Sequence, residues 1–192
     1  MLQEHQIFCN HEECIRDLLL INYMKNPEFK HKICALSGFR FEREVPEDHK
    51  IITNNKLISG RTDIKVLPIN GIDCDNDEAY FVIECKRLNN QAVKGTSGLN
   101  AEYIKNGILR FLSGQYRSYY SVNAMFGFIV SEIDIDSNID NINYINKRFY
   151  ANRIKTIQDL KAIEKSKMYY SIHEDINKAE ISLLHLMMNF TK

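Results

Sequence analysis

The stretch Tyr80–Arg87 reads Y-F-V-I-E-C-K-R, and it decides how the middle of this chain folds. Its residues Tyr80–Cys85 are mostly β-branched, aromatic or apolar, which is the composition of a buried strand. Side chains two apart in a strand point to the same face, so Glu84 and Lys86 share one face with Val82. A carboxylate and an ammonium at the end of an apolar strand are costly to bury unless they pair or bind something.

A second stretch, Gly60–Val66, reads G-R-T-D-I-K-V and carries a further carboxylate at Asp63. The pattern of Leu57–Leu67 predicts a neighbouring strand, and an antiparallel hairpin of the two strands brings Asp63 beside Glu84. Two carboxylates directed at one point repel each other unless a cation lies between them. Because hard oxygen ligands suit Mg²⁺, the two stretches together predict a site for a divalent metal.

The sequence G-R-x-D, followed by a spacer and an apolar strand with E-C-K-R, resembles the core of the PD-(D/E)xK nucleases, which have the restriction-endonuclease-like fold. The resemblance implies that Asp63 and Glu84 are metal-binding acids and that Lys86 is the catalytic lysine. It also implies that the Cys85 backbone carbonyl is a further metal ligand, and that the cofactor is Mg²⁺, for which Mn²⁺ can substitute. The chain departs from the pattern at Thr62, which precedes Asp63 where the family often has proline.

The tripeptide E-x-K carries little information by itself, because it occurs by chance about once in a chain of this size. Four similar tripeptides have neither an apolar strand before them nor a partner acid one hairpin earlier: Glu28-x-Lys30, Asp48-x-Lys50, Asp63-x-Lys65 and Asp159-x-Lys161. The alternative interpretation of Glu84 and Lys86 is a solvated strand end, with a surface ion pair that contributes under about 1 kcal/mol.

Gln115 and Tyr119 form a Q-x-x-x-Y pattern that is similar to the accessory motif of a RecB-like branch of the same superfamily. That motif has a glutamine beside the metal site, so the resemblance makes Gln115 a candidate catalytic residue. The residues Ala101–Tyr120 have helical periodicity, with Gln115 and Tyr119 on the apolar side. The other interpretation is a core glutamine whose amide is satisfied by backbone groups.

A third metal-site acid is expected near the start of the chain. Glu12 lies at the edge of the apolar stripe of the predicted helix His11–Lys25, whereas Glu13 lies nearer to solvent. Related nucleases often place an acid there, so the resemblance makes Glu12 a candidate ligand. Glu44, on the predicted strand Phe39–Val45, competes for the same role.

Several basic residues and two histidines are further candidates for a functional role. The basic residues expected to contact phosphate are Arg87, Lys94, Lys105, Arg110 and Arg117. For each of them the alternative is a solvated surface charge. His173 and His185 are expected to pack or to lie at the surface, because no nucleophile or metal-ligand spacing accompanies them.

The composition fits a single domain covering residues 1–192. Apolar runs such as Leu18–Ile21 are far too short to cross a membrane, and the N-terminus lacks a signal-peptide pattern. Five cysteines without a C-x-x-C pair predict reduced thiols in a cytoplasmic protein. With 25 basic and 25 acidic residues, the chain has no overall positive excess, so a DNA-binding patch must be local or come from a partner.

Periodicity and turn residues predict the remaining elements along the chain. In chain order they are a helix over His11–Lys25 with Asn10 as its N-cap, a strand over Phe39–Val45, the two motif strands, a loop over Asn89–Asn100, a helix over Ala101–Tyr120, a strand over Ala124–Val130, a helix over Ile139–Leu160, and a hairpin of Met168–His173 and Ile181–Phe190.

These patterns predict an α/β fold in which a mixed sheet is flanked by helices around a restriction-endonuclease-like core. The expected function is that of a hydrolase, a magnesium-dependent nuclease acting on DNA. A role in defence against foreign DNA is implied only by the habits of the family. Sequence recognition, if there is any, is expected from loops, from a homodimer or from a partner subunit.

Two other classes of protein compete with this prediction. The first is a catalytically inactive module of the same fold that binds nucleic acid or protein. The intact set of two acids and a lysine argues against it. The second is an unrelated metal-dependent hydrolase of a small phosphate ester, and the lack of a histidine-rich cluster argues against that.

Overall fold

A computed structural model describes residues 10–46, 51–53, 56–58, 61–69, 79–117, 119–150, 158–159 and 168–191 of this chain. Its strands are β1 (Phe39–Arg43), β2 (Ile51–Thr53), β3 (Lys56–Ile58), β4 (Ile64–Pro68), β5 (Phe81–Leu88), β6 (Val122–Ile129), β7 (Gln158–Asp159), β8 (Met168–Glu174) and β9 (Glu180–Asn189). Its helices are α1 (Glu12–Leu19), which continues as a π-helical turn over Leu20–Met24, α2 (Pro27–Lys32), α3 (Cys34–Ser37), α4 (Leu99–Tyr103), a second π-helical turn over Ile104–Ile108, α5 (Leu109–Leu112) and α6 (Ile135–Phe149).

Seven of the described strands form one mixed sheet in the order β1-β4-β5-β6-β9-β8-β7, and β2 pairs separately with β3. The pairs β5–β6 and β6–β9 are parallel, and the remaining pairs of the sheet are antiparallel. The central strands β5 and β6 are buried along almost their whole length, as expected where helices cover both sides of a sheet. The predicted α/β fold with a mixed sheet flanked by helices is therefore confirmed.

Two hydrophobic cores lie against the sheet. One contains Val82 and Leu88 of β5 together with Tyr103, Ile108 and other residues of the α4–α5 segment and α6. The other contains Ile83 and Cys85 of β5 together with residues of α1, β1, β4 and β6. This division follows the alternation of side chains along β5. It places Glu84 and Lys86, which have the parity of Val82, on the same face as the α4–α5 segment.

The helical segment packs closely on the sheet beside the motif because residue 107 is glycine. A Cβ atom at Gly107 would clash with Met125 Cε and would lie 3.5 Å from Lys86 Cγ. Glycine therefore allows the helix backbone to approach β5 and β6 next to the Lys86 side chain.

Most of the predicted elements are present, with differences at their ends. The helix over His11–Lys25, the strands over Phe39–Val45 and Ala124–Val130, and the C-terminal hairpin are confirmed. The N-cap prediction is wrong, because His11 rather than Asn10 is the N-cap of α1. The single strand predicted over Leu57–Leu67 is divided between β3 and β4, and Asp63 lies just before β4.

Two predicted helices end too late. The helix predicted over Ala101–Tyr120 stops at Leu112, because Gly114 takes a φ of 72°. The Gln115 N–H donates to the Arg110 carbonyl at 3.0 Å and the Gly114 N–H to the Phe111 carbonyl at 3.2 Å, which closes the helix as a Schellman motif. The helix predicted over Ile139–Leu160 is wrong at its C-terminal end, because α6 ends at Phe149 and Gln158–Asp159 pair with β8.

The cysteines also differ from the expectation. Cys14 is disulfide-bonded, so the prediction that the thiols are reduced is wrong for this residue, whereas Cys34 and Cys85 are free. The described helices include none with the length and apolar character needed to cross a membrane.

Candidate active site

Asp63 lies where β4 and β5 separate. The last paired residues of the two strands are Ile64 and Ile83. At Asp63, the residue before Ile64, the backbone is no longer paired with β5. The Asp63 carboxylate instead accepts a hydrogen bond from the Cys85 N–H at 2.8 Å. This bond satisfies a backbone donor that has lost its ladder partner. It also fixes Asp63 Oδ2 beside the motif strand, 3.8 Å from Lys86 Nζ.

Glu84 is fully buried, and both of its carboxylate oxygens are occupied. Oε1 lies 2.7 Å from Lys86 Nζ and 2.8 Å from Arg110 Nη1, and Oε2 accepts from the Tyr116 hydroxyl at 2.7 Å. Burial and the nearby Asp63 carboxylate raise the pKa of Glu84 to about 7, although Lys86 and Arg110 act to lower it. Glu84 can therefore take up or release a proton close to neutral pH.

Lys86 is the centre of the site. Its ammonium lies 2.7 Å from Glu84 Oε1, 2.9 Å from Glu12 Oε1 and 3.8 Å from Asp63 Oδ2, and it donates to the Cys85 backbone carbonyl at 2.7 Å. Burial lowers the pKa of Lys86, but the carboxylates of Glu84, Asp63 and Glu12 outweigh that effect and raise it overall. The ammonium therefore keeps its proton, and its chemistry is that of a cation and hydrogen-bond donor rather than a base.

The first helix supplies the third acid. Glu12 Oε1 accepts a hydrogen bond from the Lys86 ammonium. Glu12 Oε2 accepts a second hydrogen bond from the Arg87 backbone N–H at 3.1 Å. Glu44, the competing candidate, instead pairs with Arg16 at 3.0 Å and with Arg61. Of the two acids, Glu12 is thus the one that contacts the lysine of the motif.

Arg16, one turn after Glu12 on α1, was not predicted to be part of the site. Its guanidinium is buried and lies 3.4 Å from Asp63 Oδ1, 3.0 Å from Asp17 and 3.0 Å from Glu44. It therefore neutralises the Asp63 oxygen that does not face Lys86. The spacing of Glu12 and Arg16 by four residues, which places them on one helix face, is the sequence feature that connects the two.

Arg110 and Tyr116 form the other side of the site. Arg110 Nη1 donates to Glu84 Oε1 and to the Tyr116 hydroxyl, each at 2.8 Å. The Tyr116 oxygen also lies 2.9 Å from the Arg61 carbonyl. A phenol carries one proton, so Tyr116 donates to Glu84 or to that carbonyl at any moment. Burial and the Glu84 carboxylate raise the pKa of Tyr116, which keeps the phenol protonated.

The accessory pattern is placed differently from the prediction. Gln115 is half-buried and lies in the Schellman motif after α5 rather than on a helix face. The Tyr119 ring packs edge-on against Tyr80 with their centroids 4.8 Å apart. After the end of α5, the residue that contacts Glu84 is Tyr116 rather than Gln115. Gly114 is the sequence feature that ends the helix and directs Tyr116 toward the site.

The basic residues named from the sequence do not form one cluster. Arg110 pairs with Glu84, whereas Arg87 donates to the Asn10 carbonyl at 2.6 Å. Lys94 is exposed and lies 6.0 Å from the centre of the Tyr144 ring. Arg117 is exposed and donates to the Tyr119 hydroxyl at 3.2 Å. Arg110 is thus the member of this set that touches a motif carboxylate.

His173 and His185 are both buried, which confirms the expected packing role rather than a surface position. Ser171 Oγ lies 2.5 Å from His173 Nε2 and 2.8 Å from His185 Nε2, and the Tyr103 hydroxyl lies 2.7 Å from His185 Nδ1. Burial and the neighbouring His173 lower the pKa of His185 to about 3. His185 is therefore a neutral member of a polar network inside the fold.

The donor set around Lys86 has the chemistry of a hard-cation site. Three carboxylates and a backbone carbonyl converge on one ammonium, and oxygen ligands of these kinds are those that Mg²⁺ takes. The part of the chain that the structure describes contains no group of three His, Cys, Asp or Glu side chains already arranged to hold a metal ion. A metal that uses these oxygens therefore has to displace the ammonium from them.

Comparisons of this chain with family models, curated proteins and solved structures find no match.

Proposed function

We propose that this protein is a magnesium-dependent nuclease with a restriction-endonuclease-like core that hydrolyses phosphodiester bonds of DNA. The observation that carries the proposal is the convergence of Glu84, Glu12, Asp63 and the Cys85 carbonyl on the single ammonium of Lys86. These are the residues that the resemblance to the PD-(D/E)xK family names, and residues far apart in the chain meet there. A solvated strand end with a surface ion pair does not account for the full burial of Glu84.

The order of elements also supports the proposal. Helix α1 supplies Glu12, the antiparallel pair β4–β5 supplies Asp63 and Glu84, and a helical segment then leads to the parallel strand β6. Asp63 and Glu84 therefore come from neighbouring strands, and Glu12 comes from a helix much earlier in the chain. An arrangement of this kind holds reacting groups in fixed positions on rigid elements.

The residues divide into two roles in the proposed reaction. Asp63, Glu84 and the Cys85 carbonyl would hold Mg²⁺, with Glu12 as a further acid at the same place. When bound there, Mg²⁺ would supply Lewis-acid chemistry that polarises the scissile phosphate and lowers the pKa of water. Lys86, kept charged by its carboxylate neighbours, orients the attacking water and offsets the charge that builds on the phosphate oxygens.

The test is a cleavage assay on purified protein with supercoiled plasmid DNA, with the same DNA made single-stranded, and with RNA. Each substrate is incubated with Mg²⁺, with Mn²⁺ and with a chelator. We expect cleavage of DNA with either metal, none with chelator, and none by the Lys86→Met variant. If the protein binds DNA but leaves every substrate intact, it is instead a non-catalytic binding module of the same fold.

A further inference from the structure

Within the described part of the chain, the Arg110 side chain makes its hydrogen bonds through one nitrogen of its guanidinium. Nη1 contacts both Glu84 Oε1 and the Tyr116 hydroxyl. Among the described residues, Nη2 and Nε have no hydrogen-bond partner, and 30% of the side chain is exposed. The guanidinium thus has an inner end fixed to the site and an outer edge that is open to a ligand.

The inner end is held firmly. The Schellman motif at the end of α5 returns the chain so that Tyr116 lies against Arg110, six residues earlier. Tyr116 is buried and is itself fixed by the Arg61 carbonyl and Glu84. A guanidinium positioned in this way loses little conformational entropy when its free edge binds a ligand.

We propose that Arg110 binds a phosphate of the nucleic-acid substrate through Nη2 and Nε, while Glu84 and Tyr116 hold Nη1. The two free nitrogens lie in one plane, and a planar guanidinium edge matches two oxygens of a phosphate with parallel hydrogen bonds. Arg110 and Lys86 share the same Glu84 oxygen, so this phosphate subsite adjoins the acids. The inference rests on the proposed function only for the identity of the phosphate as part of nucleic acid.

The competing account makes Arg110 a counter-ion of Glu84 and nothing more. Under that account, replacing Arg110 changes the stability of the fold and the behaviour of Glu84, but it leaves nucleic-acid binding unaltered. Under the phosphate-binding proposal, affinity for nucleic acid falls and loses part of its salt dependence, because one phosphate contact is gone. These two readouts separate the accounts.

The experiment measures binding of fluorescein-labelled 20-mer DNA, single-stranded and duplex, by anisotropy over a series of salt concentrations. It is run with chelator on the wild-type background, and with Mg²⁺ on the Lys86→Met background, so that binding is read without turnover. We expect Arg110→Met to weaken binding on the order of tenfold and to lower the salt slope by about one. Arg110→Lys keeps a counter-ion for Glu84 but loses the planar edge, so it folds and still binds more weakly than wild type.

The matched control is Arg40→Met. Arg40 is also an arginine paired with a glutamate, since its Nε lies 2.9 Å from Glu42, but 65% of its side chain is exposed. Arg40 lies on β1 and pairs with Leu67 of β4. Leu67 is three residues from Ile64, so Arg40 is far along the strand from the end of β4 at which Asp63 lies. We expect Arg40→Met to change affinity by less than about twofold and to leave the salt slope unchanged.

The outcomes separate this proposal from the proposed nuclease activity. Wild-type affinity in both Arg110→Met and Arg110→Lys overturns the phosphate subsite even if the wild-type protein cleaves plasmid. Lost affinity in both variants, with no plasmid cleavage by the wild-type protein, supports the subsite and overturns the nuclease. A wild-type protein that binds neither oligonucleotide under either condition overturns the subsite.

Discussion

Lys86 Nζ and Glu12 Oε1 lie 2.9 Å apart, although 74 positions separate these residues in the chain. The other oxygen of Glu12 accepts from the Arg87 N–H, so this carboxylate ties the first helix to the end of β5. The same ammonium contacts Glu84 and Asp63. Helix α1 is therefore part of the candidate active site, and the geometry of Lys86 depends on it.

We expect Glu12→Gln to reduce plasmid cleavage on the order of tenfold or more, because the Lys86 ammonium loses one of the three carboxylates that fix its position. The loss of a charged hydrogen-bond partner should also lower the free energy of unfolding by about 1–2 kcal/mol. Glu13→Gln is the control, since the neighbouring Glu13 is exposed and surface substitutions usually change stability by under about 0.5 kcal/mol. Urea unfolding and the plasmid assay measure both effects, and equal results for the two variants would remove Glu12 from the site.

The acids and the lysine of the motif should differ in what their replacement destroys. Asp63→Asn and Glu84→Gln each remove a charged ligand of the proposed metal site, so cleavage and Mg²⁺ affinity should both fall. Lys86→Met removes the cation that competes for the same oxygens, so cleavage should be lost while Mg²⁺ binds as tightly as before or more tightly. Calorimetric Mg²⁺ titration beside the cleavage assay measures the two properties. Full cleavage by Lys86→Met contradicts the nuclease assignment, and unchanged metal affinity in Asp63→Asn places the metal elsewhere.

The sequence predicted the motif strand and its partner acids because these depend on local patterns. The alternation in Tyr80–Arg87 fixes which side chains share a face of β5, and an antiparallel neighbour then brings Asp63 to Glu84. The expectation that Glu12 lies near the metal-site acids came from the family resemblance, and the structure places its carboxylate on Lys86. The sequence could not show whether Glu12 or Glu44 is the third acid of the site, because the answer depends on how α1 and β1 pack around β5.

The parts that were missed depend on where a helix ends and on partners distant in the chain. A regular helical pattern runs past Leu112, but the left-handed Gly114 closes α5 and redirects the chain. This change of direction brings Tyr116, instead of Gln115, to Glu84. Arg16 was missed because a buried arginine is recognisable only when its acidic partners are in place, here Asp63 just before β4 and Glu44 just after β1.

Arg16 should be important for stability as well as for the position of Asp63. Its buried guanidinium neutralises Asp63, Asp17 and Glu44, and removing one partner of a buried charge network typically costs about 3–5 kcal/mol. We expect Arg16→Met to lower the free energy of unfolding by about 3 kcal/mol, and the exposed Arg43→Met, which removes a single contact to Asp17, by under about 1 kcal/mol.

Urea unfolding of the Arg16→Met and Arg43→Met variants at one pH checks the difference. The loss in the free energy of unfolding caused by Arg16→Met should be larger at low Mg²⁺ than at saturating Mg²⁺. A cation bound at Asp63 replaces part of the positive charge that this variant lacks. A loss for Arg16→Met no larger than that for Arg43→Met would show that the three carboxylates do not depend on Arg16.

The pKa of Glu84 makes the stability of the protein depend on pH in a defined direction. Burial raises this pKa from its ordinary 4.5 to about 7, so between these values the folded protein holds a proton that the unfolded chain releases. The contribution of Glu84 to stability is therefore fully present below about pH 4.5 and is lost as the pH rises to about 7. Relative to Glu84→Gln, which does not titrate, wild-type protein should lose up to about 3 kcal/mol over this interval.

Mg²⁺ affinity should change in the opposite direction, because the proposed metal site uses the ionised carboxylate of Glu84. We expect the affinity to rise as the pH increases through about 7 and then to level off, since further deprotonation of Glu84 is not available. Arg110→Met should move the rise to higher pH, because Arg110 is one of the cations that act to lower this pKa.

The measurements are urea unfolding of wild type and Glu84→Gln from pH 4 to 8, and Mg²⁺ titrations of wild type and Arg110→Met over the same interval. A wild-type protein that gains stability relative to Glu84→Gln as the pH rises would mean that Lys86 and Arg110 outweigh burial and keep Glu84 ionised throughout.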